Sequence, residues 1–223
     1  MLRRPQFQIE YENRLREIRD LLFNPEQASA LIDEYAAVIS DPAGGPSFVD
    51  AERAKWDHHP IMASRWVDPR KAGQGQFYLQ SPTRDFGGMV ELMKEYVLIR
   101  GRWCDANLLT DMAIPPMPTV ATDGPLDFKS STLPFSATLP TGPSLNTTIQ
   151  WRLAEITPGP TVKLMVPRRY EIQALWEETG QFTAKISTKE VEPGHTYRVR
   201  ARACDATGRC SHWSEPVQFV AGK

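Results

Sequence analysis

Tyr197-Arg198-Val199-Arg200-Ala201-Arg202-Ala203 alternates with a period of two. Tyr197, Val199, Ala201 and Ala203 share one parity, and Arg198, Arg200 and Arg202 share the other, the pattern of a strand with one apolar and one polar face. Working outward, Ile149, Trp151 and Leu153 alternate with Gln150 and Arg152. Tyr170, Ile172, Ala174 and Trp176 alternate with Glu171 and Gln173. Several such strands, separated by turn residues, predict an antiparallel β-sandwich over residues 119–223.

Upstream of residue 113 the period becomes 3.6. Phe7, Tyr11, Leu15, Ile18 and Leu22 form one apolar stripe of a helix. Asn24-Pro25-Glu26-Gln27 supplies an N-cap, a proline at the first helical position and a capping-box glutamine. Ala28, Leu31, Ile32, Tyr35, Ala36 and Ile39 continue into a second helix that stops at Ser40-Asp41-Pro42. A short helix is expected from Asp50 to Pro60, and a longer one from about Phe86 to Arg100 with Phe86, Met89, Val90, Met93 and Val97 on one face. Gly73-Gln74-Gly75 and its surroundings read as a loop. Of the prolines, seven lie in residues 1–112 and twelve in 113–223. The cluster Ile114-Pro115-Pro116-Met117-Pro118 cannot continue a helix and reads as a stiff connector. The expected fold class is therefore α + β as two domains: a helical region at 1–113, a linker at 114–118 and an all-β sandwich at 119–223.

Composition narrows the partners. The 223 residues carry 26 Lys plus Arg and 27 Asp plus Glu, a net charge of -1, which argues against nucleic acid or an anionic membrane as the main partner. No apolar stretch is long enough for a membrane span. No signal peptide is apparent, since Met1-Leu2-Arg3-Arg4-Pro5 runs directly into the first helix.

Tyr11-Glu-Asn-Arg-Leu-Arg-Glu-Ile-Arg-Asp-Leu-Leu-Phe-Asn-Pro-Glu-Gln27, Asp33-Glu-Tyr-Ala-Ala37 and Trp56-Asp-His-His-Pro60 resemble the C-terminal helical region of bacterial CotH-type (spore-coat-protein-H-like) proteins. Ser81-Pro-Thr-Arg-Asp-Phe-Gly-Gly88 fits the same pattern, and the resemblance spans roughly residues 5–113. Gly194-His-Thr-Tyr-Arg-Val-Arg-Ala-Arg202 and Ser211-His-Trp-Ser-Glu-Pro216 resemble a fibronectin type III-like domain appended to such proteins. The resemblance implies an atypical protein-kinase-like fold whose nucleotide and metal sites lie upstream of the matched region. No glycine-rich phosphate loop, strand lysine or catalytic-loop Asp/Asn pair is found here. It thus implies the tail of a larger protein or a truncated product, without cofactor, metal or catalytic residues of its own.

Several residue groups invite chemistry. Asp85-Phe86-Gly87 spells the kinase metal-binding tripeptide, but a helix cap at Asp85 fits its surroundings better. His58 and His59 are adjacent and point about 100° apart on a helix, unsuited to a shared metal. Arg198, Arg200 and Arg202 could bind an anion, yet Trp213 in the next expected strand offers them a cation–π ladder. That ladder resembles the Trp-Ser-x-Trp-Ser box of cytokine-receptor fibronectin domains, with Cys210 in place of the first Trp. Cys204 and Cys210 flank Asp205-Ala206-Thr207-Gly208-Arg209 across a hairpin, at a spacing suited to a structural disulfide. Cys104 is left over as a buried or partly buried thiol.

These readings lead to a non-catalytic structural or interaction portion of an exported protein, extracellular or in the cell envelope. Its expected work is spacing, surface attachment, or protein or glycan contact. Two alternatives stand beside it: a fragment of a CotH-like kinase (or a hydrolase built on His58 and His59), and a receptor-like ligand-binding module. The helices carry apolar residues on more than one face, with Ile9, Leu21 and Phe23 outside the first stripe and Trp56 and Trp66 in less regular segments. Self-association, or binding to a missing upstream domain, is therefore expected through the helical half.

Overall fold

The computed structural model describes residues 4–41, 47–56, 83, 86–140, 142, 146–157 and 170–222. Asp85, His58, His59, Trp66 and the Gly73–Gly75 loop lie outside the described residues, as does the side chain of Trp56. Among the described residues four α-helices come first: α1 (Pro5–Leu21), α2 (Pro25–Ile39), α3 (Phe48–Trp56) and α4 (Phe86–Leu108). Seven strands follow: β1 (Thr119–Thr122), β2 (Thr132–Thr138), β3 (Thr148–Glu155), β4 (Ala174–Gly180), β5 (Thr183–Ser187), β6 (Thr196–Cys204) and β7 (Val217–Val220).

The helix boundaries follow from local chemistry. Asn24 Oδ1 accepts from the Gln27 N–H at 2.9 Å, with Pro25 in the first turn. The expected capping-box return does not form. Gln27 Oε1 instead accepts from the Glu171 N–H at 2.9 Å, because the start of α2 sits against the β half. α3 starts two residues earlier than expected, and α4 runs eight residues past Arg100. Gly101 lies inside α4 at a close approach, where a methyl group would overlap the end of the Arg19 side chain of α1 and make it shift.

All strand pairings are antiparallel, in two sheets ordered β1-β2-β5 and β4-β3-β6-β7. One apolar core takes Leu133, Phe135, Ala137, Ala184 and Ile186 from the first sheet. From the second it takes Ile149, Trp151, Leu153, Tyr197, Val199, Ala201 and Ala203, the parity the alternation selected. Two buried polar handles fix this core. Trp151 Nε1 donates to the Gln181 carbonyl at 2.9 Å, and the Tyr197 hydroxyl accepts from the Glu192 N–H at 2.7 Å.

Two expected strand segments are irregular. Tyr170–Gln173 forms a turn, closed by Gln173 N–H donating to the Tyr170 carbonyl at 2.8 Å, and β4 begins only at Ala174. Trp213 is not in a strand either. Residues 211–214 run beside β6 with serine hydroxyls completing the pairing: Ser211 Oγ accepts from Ala203 N–H at 3.0 Å and Ser214 Oγ from Ala201 N–H at 3.1 Å.

Candidate functional site

The polar face of the β4-β3-β6-β7 sheet carries Arg152, Arg198, Arg200 and Arg202, with Arg152 directly opposite Arg200 in register. Such a face ordinarily meets water. Here it is covered: Arg152 is 1% exposed and Arg198 and Arg200 are 9% exposed. Buried guanidinium groups need carboxylates and carbonyls around them. The helices and the Tyr170–Gln173 turn supply most of these, leaving Arg152 Nε and Nη1 and Arg202 Nη1 without a hydrogen bond among the described residues.

Glu171, 1% exposed, is the hub. It accepts from Arg198 Nη1 at 2.8 Å and from Arg200 through both Nε and Nη2. Arg198 Nη2 also forks onto both oxygens of Glu26 from α2, at 2.9 and 2.8 Å. Arg200 Nη1 donates to the Ser214 carbonyl at 2.5 Å, and Arg152 Nη2 to the carbonyls of Glu171 and Ile172 at 3.1 and 3.0 Å. Glu17 of α1 lies between Arg152 and Arg202, at 3.8 and 3.6 Å. Burial holds the Arg152 and Arg202 pKa values below the usual guanidinium value. Burial also pulls on Arg198, but its hydrogen bonds to Glu26 and Glu171 outweigh that and raise it.

Of the ladder residues, Arg202 lies over the Trp213 ring at 4.6 Å, and Arg152 joins it at 5.2 Å. Arg198 and Arg200 are held by carboxylates. Arg152 was legible only as a polar-parity residue of its own strand, and the β3–β6 pairing is what joins it to the three arginines. Glu171 was hidden by its assignment to a strand.

Helix α1 docks onto this face with its charged side. Glu12, Arg16 and Leu21 are its buried residues, whereas Phe7 and Tyr11 of the apolar stripe are 40% and 43% exposed. Arg16 Nη1 donates to the Cys210 carbonyl at 3.1 Å, and Asn13 bridges the hairpin, donating to Gly208 O at 2.7 Å and accepting from Cys210 N–H at 3.0 Å. Asp20 accepts from the Trp213 N–H at 2.8 Å and from His212 Nδ1 at 3.0 Å. That hydrogen bond raises the His212 pKa. Cys204 and Cys210 are joined by a disulfide, closing the loop on which α1 rests, with Gly208 at a φ of 85°. Cys104 is a free thiol of intermediate burial.

A cleft of about 410 Å³ opens along this seam, lined by Asp20, Glu26, Arg198, Arg200, His212 and Trp213 among others. Asp20 pairs with His212 and Glu26 with Arg198 inside it, while Arg19 and Arg200 are held by Asp105 and Glu171, so the cleft reads as the open end of a packed ionic interface. Among the described residues, no group of three or more His, Cys, Asp or Glu side chains converges as metal ligands would.

The outer surface of the helices is different in kind. Tyr35, Val38 and Ile39 on α2 are 69%, 41% and 44% exposed. Met93, Tyr96, Ile99 and Trp103 on α4 are 55%, 64%, 53% and 43% exposed. In the β half, among the described residues, Val220 is the one comparably exposed large apolar side chain. At 100° per residue, the four α4 positions fall within an arc of roughly 120°. Arg100, which falls within the same arc, lies over the Trp103 ring at 3.9 Å. No helix among the described residues is long and apolar enough to cross a membrane.

No family model matches the chain, and no curated protein matches it. Solved structures similar to part of it include the twitchin kinase region from C. elegans, at 18% identity and a TM-score of 0.31, over 49% of this chain and 17% of that one. This chain thus spans about a sixth of the twitchin chain's length. A structure titled as a myokine is 18% identical at a TM-score of 0.32, over 49% of this chain and 99% of that one. The fibronectin type-III domain of human fibronectin type III domain containing protein 3 is 14% identical at a TM-score of 0.34, over 51% and 91%.

Proposed function

We propose that this chain is a non-catalytic protein-interaction module, in which a fibronectin type III-like sandwich at 119–223 is a rigid mount and the helices of 1–113 present the contact surface. The observation that carries this is the crowding of exposed Tyr, Trp, Met and aliphatic side chains onto α2 and α4. The sandwich reading is supported by a three- and a four-stranded antiparallel sheet over one core. A buried tryptophan on β3 and the tyrosine-to-backbone bond at the start of β6 support it further. The ionic seam supports a mount whose helices keep one orientation, since buried ion pairs favour a single geometry more than they add stability. In this reading the Pro115-Pro116 connector lets the chain cross from α4 to β1 without a hinge.

The Cys204–Cys210 disulfide supports an extracellular or cell-envelope location, where such bonds persist. The wording of residues 11–27 and 33–37 supports kinship of the helical half with the C-terminal region of CotH-type proteins.

The test is site-specific photo-cross-linking in the full chain. A photo-reactive residue placed at Tyr35 or Tyr96 should give adducts of protein mass, and one at Val220 should not. An interaction module is contradicted if the helical positions yield no protein adduct.

A further inference from the structure

We propose that the outward face of α4 pairs with the same face of a second copy of this chain, antiparallel, as a two-fold symmetric contact. This rests on the interaction reading above and names its partner. The contact stripe is Met93, Tyr96, Ile99 and Trp103, all more than 40% exposed. Stacking Arg100 on Trp103 pre-positions the largest of the four.

The charges beside the stripe select the partner and its direction. Glu95 and Arg102 are both exposed, and they make no ion pair among the described residues. Seven residues apart, they lie about 20° from each other around the helix, on the same edge of the stripe. A two-fold axis passing between residues 98 and 99 sets Glu95 of one copy opposite Arg102 of the other, and the reverse pair follows by symmetry. Met93 then meets the Trp103 indole of the second copy, a favourable sulfur–aromatic contact. A parallel two-fold pairing would instead carry Glu95 and Arg102 of the two copies to opposite edges of the contact, where neither pair can form. Two other basic groups are near: Arg100, inside the stripe, is stacked on Trp103, and Lys94 is held by Asp33 of α2 and Glu91 at 2.7 and 2.8 Å. Asp33 holds Lys94 on the side of α4 away from the stripe, so Tyr35, Val38 and Ile39 of α2 lie outside this contact. One helix face buries less than roughly 1,200 Å², the range of weak, reversible association.

Sedimentation equilibrium of the full chain over a concentration series tests this. The wild type should reach a dimer. Glu95→Arg and Arg102→Glu should each weaken the dimer about 10-fold, because each change breaks two symmetric pairs and creates two repulsions. The double reversal E95R/R102E should recover to within about 3-fold of wild type. Both positions are exposed, so unchanged circular dichroism should accompany every variant. A wild type that stays monomeric overturns the proposal, and so does a double reversal as weak as the single ones. If the monomer's Tyr96 cross-linker still captures a different protein, self-pairing fails and the interaction reading stands. If it captures nothing, both fail.

Discussion

Glu171 sits where two arginines of one strand and one carbonyl-bound arginine of the next meet, and its burial makes it the most consequential single residue of the seam. Replacing it with Ala leaves Arg198 and Arg200 short of their shared carboxylate in a dry environment. Breaking a buried pair in this way costs roughly 3–5 kcal/mol, and urea denaturation of Glu171→Ala should show a loss of that size. Its neighbour at the edge, His212, gives the seam a pH dependence. The Asp20 hydrogen bond raises its folded pKa, burial opposes this, and Arg16 and Asp105 add opposing charge effects. A raised histidine stabilises fully below its unfolded pKa of about 6.5, and the contribution is lost as pH rises through the folded pKa. Stability should therefore fall across neutral pH, and His212→Asn should remove that component of the slope. A slope identical in the variant would show that His212 does not couple to folding.

At the scale of elements, α1 is the instructive case. The spacing of Phe7, Tyr11, Leu15, Ile18 and Leu22 defines two faces, but not which one docks. The usual rule sends the apolar face inward. Here the inner surface is an arginine sheet, so the face of Glu12, Arg16 and Asp20 goes in. The clue was present in two places: four arginines on one parity of β3 and β6, and acidic residues at helical spacing on α1. Neither is decisive until the β3–β6 register joins Arg152 to the other three. The strands of the core were legible because period two and burial coincide there. Trp213's segment was not, because Ser211 and Ser214 each meet β6 with one backbone N–H and one hydroxyl, which does not build a regular ladder. Gly101 tests the α1–α4 contact. Gly→Ala within a helix ordinarily stabilises by about 1 kcal/mol. At 101 the added methyl would displace Arg19 from Asp105, which it now holds through Nε and Nη2 at 2.7 and 2.6 Å. Gly101→Ala should therefore give no gain in the wild type, and the ordinary gain in an Arg19→Ala background, read by thermal unfolding. A gain in both would remove the close approach from the account.

Across the whole molecule, charge faces inward at the seam and apolar surface faces outward on the helices, the reverse of the common distribution. That inversion joins the structure to the proposed role: the ionic seam fixes the helices on the β half, and the fixed helices hold Tyr35, Tyr96 and Trp103 toward a partner. Hydroxyl-radical footprinting of the full chain, read by mass spectrometry at low and high protein concentration, addresses it most directly. Trp151 and Trp213 should oxidise slowly at both concentrations. Met93, Tyr96 and Trp103 should oxidise fast when dilute and become protected when concentrated. Protection of the α4 residues even at high dilution, or rapid oxidation of Trp213, would contradict it.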